Sequence, residues 1–149
     1  MKFILSDTGL LGYVTNPKSN ELNEKCKQWL ARSLSKRYKV LVPEIADYEV
    51  RRELLRANKQ KGLQRLNDLV DRLGYVPISR EIMLKAAEFW ANSRREGKPT
   101  APDLALDADV ILAAQAVSLQ RFDNEVIIAT TNVKHLIRFA NAQFWQDVT

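Results

Sequence analysis

Short apolar runs alternate with longer segments whose apolar residues recur every three or four positions, and this alternation leaves few folds open. The runs are Phe3-Ile4-Leu5, Val40-Leu41-Val42 and Val126-Ile127-Ile128-Ala129. They are too short for helices, and several of their residues are β-branched, which suits a buried strand. Strands separated by helices imply a mostly parallel sheet covered on both faces, an α/β/α sandwich in three layers. The pattern predicts strands over residues 2–6, 38–42 and 125–129, with weaker candidates at 75–78, as an edge strand at best, and at 143–145. Helical patterns are predicted over 8–14, 20–36, from Pro43 to the charged break at 58–61, on to Leu73, 79–95, 103–119 and 133–139. Leu22, Cys26, Trp29, Leu30 and Leu34 mark one apolar face; Ile82, Ala86, Phe89 and Trp90 mark another. Gly74 fits a helix stop, and residues 97–102 read as a loop.

The chain has 149 residues, which fits one domain spanning 1–149. A domain of this size buries roughly 68–70% of its unfolded surface and needs no staples. Its one cysteine, Cys26, cannot form an intrachain disulfide and suits a reducing cytoplasm. The apolar segment after Met1-Lys2 falls far short of the about 20 residues of a membrane span and does not resemble a signal peptide. A net charge of +5 and a pI of 9.4 favour polyanionic partners such as nucleic acid.

Four polar residues stand where open α/β sheets place their chemistry, at or beyond strand ends. Asp7 follows the first strand, Glu49 lies on the helix after the second, Asp109 sits in an apolar helix, and Asn132 follows Thr130-Thr131 after a late strand. Taken singly, Asp7, Thr130 and Asn132 can cap the helices that follow them, and Glu49 can be a solvated helix residue. Asp109 resists such an explanation. Aspartate is a poor helix former, and a charge flanked by Ala108, Val110, Ile111 and Leu112 needs a partner or a metal. Asp103 and Asp107 are accounted for by the helix dipole, with Asp107 a lesser candidate for the rim of a site. Several carboxylates brought to one place repel one another unless a cation sits between them.

The ordered set resembles the PIN-domain nucleases, most closely the VapC-type toxins of toxin–antitoxin pairs: Asp7-Thr8, Glu49, Asp109 in Asp-Val-Ile-Leu-Ala-Ala, and Thr130-Thr131-Asn132. The resemblance spans nearly the whole chain. It implies a PIN-like sandwich and a Mg²⁺- or Mn²⁺-dependent endoribonuclease. Asp7, Glu49 and Asp109 match the family's acidic positions and are the expected metal residues. Asn132 matches a fourth position that is often Asp or Asn, and Thr130 a hydroxyl position beside it. The resemblance further implies an RNA substrate, a small antitoxin and a homodimer. Gly9 and Asn132 depart from the commoner pattern, Gly9 replacing a small polar residue and Asn132 removing a charge.

Hard divalent cations take oxygen ligands, and Mg²⁺ keeps several waters beside one or two carboxylates. Asp7 and Asp109 are therefore expected to touch the ion, Glu49 to hold or deprotonate water, and Asn132 and Thr130 to orient waters or a phosphate oxygen. Arg51, Arg52, Arg56, Lys59, Lys61, Arg94, Arg95 and Lys98 are candidates for RNA phosphate contacts. His135, the only histidine, is expected to pack or sit at the rim, and Trp29, Trp90 and Trp145 to pack. Two other classes stay open: a PIN-like module that binds RNA or protein without cleaving, and, more weakly, a phosphoaspartyl protein using Asp7.

Overall fold

The computed structural model describes residues 1–97, 103–121 and 123–149, without the side chains of 103–105. Apart from Gly97, the expected loop lies outside the described residues, as does Lys98.

The described residues form five strands: β1 (Lys2–Ser6), β2 (Lys39–Pro43), β3 (Tyr75–Val76), β4 (Glu125–Thr130) and β5 (Ala142–Phe144). Six α-helices accompany them: α1 (Thr8–Thr15), α2 (Glu21–Ser35), α3 (Glu44–Arg56), α4 (Gln60–Leu73), α5 (Arg80–Arg95) and α6 (Asp103–Ser118). Strand order is β3-β2-β1-β4-β5, and every neighbouring pair is parallel. Asn20 and Ser79 cap α2 and α5 through their side chains, as the sequence suggests. Pro43 ends β2 and stands one residue before α3 instead of within its first turn. Gly74 has φ 85°, a value that favours glycine; its N–H closes α4 on Val70 O, and its carbonyl accepts from Val42 N at 3.1 Å. That one residue ends the helix and starts the edge of the sheet.

Alternation along the strands divides the core. Ile4, Val40, Val42, Ile127 and Ala129 face α1–α4, while Leu5, Leu41, Val126 and Ile128 face α5 and α6. The α/β/α sandwich read from the sequence is thus present. Ile4, Ile127 and Ile128 are fully or almost fully buried, and each contributes about 1.5–3 kcal/mol of burial.

Two apolar stripes are covered only in part, and one expected helix is shortened. Leu22 and Leu34 are exposed although they share the α2 periodicity with buried Cys26, Trp29 and Leu30. Trp90 is also partly exposed, under the Arg94 guanidinium, whereas Trp29 and Trp145 meet edge to face in the core. The helix expected over 133–139 shortens to a 3-10 turn, Val133–His135.

Candidate active site

The strand order fixes where a site can form. From β1 the chain crosses to β2 and β3 on one side, and only later returns to lay β4 on the other. The carboxyl ends of β1 and β4 therefore flank a topological switch point, the usual binding crevice of such sheets. Asp7 is the first residue past β1, and Thr130 the last of β4. The Asp7 N–H donates to Ala129 O at 3.1 Å, so the parallel register itself sets Asp7 beside Thr130.

The Asp7 side chain is buried and spoken for. Its Oδ1 accepts from Leu10 N at 2.8 Å and caps α1. Its Oδ2 accepts from Thr130 Oγ1 at 2.6 Å and from Thr131 N at 3.0 Å. Capping and site geometry, which stood as alternatives in the sequence, are properties of the same carboxylate. Glu49 reaches the crevice from α3; its Oε1 accepts from Thr8 Oγ1 at 2.6 Å, and Arg52 lies 3.7 Å from its Oε2.

Asp109 is placed differently. Its Oδ2 is buried with no hydrogen-bond partner, and the nearest cationic candidate is His135 Nδ1 at 3.6 Å, too long for a hydrogen bond. Burial first, and then the charges of Glu49 and Asp7, push its carboxyl up to about 7. Asp7, Thr8, Glu49, Asp109, Thr130 and Asn132 line one cavity of about 180 Å³, together with His135. Asp107 is exposed and does not line it.

Two further residues of the cavity are held by their neighbours. Thr130 is buried, donates to Asp7 and accepts from Asn132 N at 2.9 Å, so its hydroxyl is engaged within the protein. His135 lies in the cavity wall, with Nε2 3.3 Å from Asn132 Nδ2. Residues three apart eclipse in a 3-10 turn, so His135 follows Asn132 to the same side and takes the rim position its spacing allows.

Gly9 also has a local cause. A Cβ there would meet Thr131 Oγ1 at 2.7 Å. Gly9→Ala should lose about 1–3 kcal/mol to this overlap, offset by about 1 kcal/mol of helix propensity. In a Thr131→Ala background only the gain should remain. Chemical denaturation of the four proteins in the cycle checks this; additive effects would mean that the contact is harmless.

The sequence matches the PIN-domain profile over residues 4–133. The chain belongs to the PIN-domain family. PIN domains are generally nucleases. Solved structures with the same fold include FitAcB from Neisseria gonorrhoeae, 20% identical, covering 97% of this chain and 99% of that one, TM-score 0.72. VapBC-1 from nontypeable Haemophilus influenzae is 18% identical over 99% of this PIN domain and 100% of its own chain, TM-score 0.71. VapBC2 from Rickettsia felis, bound to a DNA fragment from its promoter, is 16% identical over 96% and 98%, TM-score 0.70. No curated protein sequence matches the chain.

The donor set of this PIN domain suits a hard cation: the side chains of Asp7, Glu49 and Asp109 offer carboxylate oxygen, and Asp109 Oδ2 is buried and unsatisfied. The acids share a cavity without closing on a point; among the described residues no three His, Cys, Asp or Glu side chains enclose an ion by themselves. That arrangement fits an ion that keeps waters between itself and part of the protein. The expected cationic lining is thinner than its sequence suggests. Arg51 is bound to Asp47 and Asn67, and Arg56 to Glu53, while Lys59 and Lys61 line a neighbouring groove.

Proposed function

We propose that this PIN domain is a Mg²⁺- or Mn²⁺-dependent endoribonuclease and the toxin of a toxin–antitoxin pair. The observation that carries the reading is Asp109, whose Oδ2 is buried without a partner and whose carboxyl is raised to about 7 by burial first and then by the charges of Glu49 and Asp7 around one cavity. A site that gathers negative charge against its own repulsion is organised for a cation.

Asp7 and Asp109 would hold the ion, with Glu49 beside it. When bound, the cation supplies Lewis acidity, acidifying water and offsetting charge on the scissile phosphate. Glu49, steadied by Thr8, takes the proton of the attacking water. Thr130 fixes the orientation of Asp7, and Asn132 presents an amide at the cavity wall. Hydrolysis breaks the P–O bond to one neighbouring nucleoside, and water supplies the hydroxyl that replaces it.

The antitoxin would lie in a groove of about 820 Å³ between α1, α3 and the start of α4. Gly12, Val50 and Leu54 line it, with Lys59 and Lys61 at its side, and it shares Thr8 and Glu49 with the acid cavity. A peptide in this groove therefore ends within reach of the acids, where a cationic side chain would compete with the metal. VapBC-1 and VapBC2 pair chains of this fold with a partner by name, which supports the reading. Exposed Tyr48, Leu55 and Leu84 offer apolar surface for the homodimer. No described helix is long and apolar enough to cross a membrane, and the proposed setting is the cytoplasm.

Asn132, a neutral amide in the cavity wall where a fourth carboxylate would add charge, favours a second reading, a PIN module that binds RNA or protein with little or no cleavage. Incubation of the purified protein with single-stranded RNA separates the two. Cleavage should require Mg²⁺ or Mn²⁺, stop with EDTA and return on adding excess Mn²⁺. EDTA-resistant cleavage, or retention of intact RNA at every metal concentration, would overturn the nuclease reading.

A further inference from the structure

Two of the groups around the His135 imidazole bear on the place of its proton. Nδ1 lies 3.6 Å from Asp109 Oδ2, and Nε2 lies 3.3 Å from Asn132 Nδ2. A neutral imidazole carries one N–H. A carboxylate oxygen can only accept, so the proton belongs on Nδ1; Nε2 is then an acceptor, and the Asn132 amide turns its Nδ2–H towards it. The two contacts demand the same tautomer. The Asn132 backbone is itself fixed, its N–H donating to Thr130 Oγ1 at 2.9 Å.

We propose that His135 is a positioning residue of the acid cluster: gripped by Asn132, it presents Nδ1–H to the buried Oδ2 of Asp109 and so sets how that carboxylate meets a cation. The chain Asn132–His135–Asp109 gives the neutral amide a task a fourth carboxylate could not perform, because a carboxylate at position 132 would call for Nε2–H and the opposite tautomer. Oδ2 has no hydrogen bond in the folded chain, and closing the 3.6 Å gap supplies one. Ligating carboxylates are commonly held by such outer partners, whose loss lowers metal affinity about 10–100-fold. The effect on metal binding rests on the nuclease reading above; the tautomer does not.

The test exploits composition, since the chain contains one histidine. Protein labelled with ¹⁵N in the histidine ring gives two nitrogen resonances, both from His135. Metal-free protein well above the imidazole titration range should show a protonated Nδ1 and a bare Nε2, and Asp109→Ala should erase that preference. A dominant Nε2–H tautomer in the wild type would overturn the proposal. Mn²⁺ binding, followed by electron paramagnetic resonance without RNA, forms the second arm. His135→Asn keeps a donor at the Nδ1 position and should bind within about 3-fold of wild type. His135→Gln and His135→Ala should lose about 10–100-fold. Equal affinities for wild type, His135→Asn and His135→Ala would overturn the positioning role. Wild-type protein that binds no Mn²⁺ yet shows the Nδ1–H tautomer would defeat the metal-nuclease reading and leave the orientation of His135 towards Asp109 standing.

Discussion

Asp109→Asn should yield a protein that cleaves no RNA and yet, in EDTA, unfolds at a higher temperature than the wild type. The loss of activity follows from removal of a carboxylate proposed to hold the ion. Partners one step removed from a metal commonly cost about 10–100-fold, so a ligand itself should cost at least about 100-fold. The gain in stability follows from the same carboxylate's surroundings. Burial, Glu49 and Asp7 raise it from 3.8 to about 7, so the folded chain disfavours its charge.

The sign fixes the pH window. A group whose folded value lies above its unfolded value contributes most at low pH, and that contribution is lost as pH rises through the folded value. For Asp109 the decline runs from near 3.8 to about 7. At neutral pH the isosteric amide therefore removes a strain the wild type carries. Three units would correspond to about 4 kcal/mol if unscreened. Cavity water reaches the side chain, so about 1–2 kcal/mol is the expected gain, or about 2–8 °C in a domain of this size. The difference should vanish near pH 4, and saturating Mn²⁺ should narrow it by stabilising only the wild type. Thermal unfolding at several pH values measures all three; a constant difference between pH 4 and 8, or a variant less stable than wild type, would contradict the assigned environment of Asp109.

How much of this could be read beforehand depended on whether a residue's role is set by its neighbours in sequence or across the sheet. The three short apolar runs became β1, β2 and β4 because their burial needs no particular partner. Asp109 was conspicuous because its neighbours along α6 are apolar, which makes its charge anomalous in the sequence itself. The Asp7–Thr130 bond was not visible, since it depends on the β1–β4 register across 123 residues. Nor was the half of the α2 periodicity that meets solvent: period alone marks a stripe, and the width of the stripe that the sheet covers decides whether Leu22 and Leu34 are buried. His135 takes the rim position its spacing allowed, since residues three apart share one side of the turn after Asn132.

Asp7 bears the same charge in the same cavity, and its substitution should move stability in the opposite direction. Its carboxylate accepts from Leu10 N, Thr130 Oγ1 and Thr131 N. Asp7→Ala removes the cap of α1, worth about 0.5–2 kcal/mol. It also strands the buried Thr130 hydroxyl and its neighbouring amide, at about 1–3 kcal/mol for each group left unsatisfied. A total loss of about 2–4 kcal/mol allows for partial relaxation around the vacancy. Asp7→Asn keeps one acceptor oxygen, enough for the cap or for Thr130 and Thr131 but not for both sets, and should fall between the alanine variant and the wild type. Both variants should lose RNA cleavage, as Asp109→Asn should, so activity alone cannot distinguish the two acids. Chemical denaturation in EDTA can. Asp7 is a carboxylate the fold needs, held by three donors; Asp109 is one the fold tolerates, held against repulsion for the cation proposed above. If Asp7→Asn and Asp109→Asn shift the midpoint in the same direction, that division of labour is wrong.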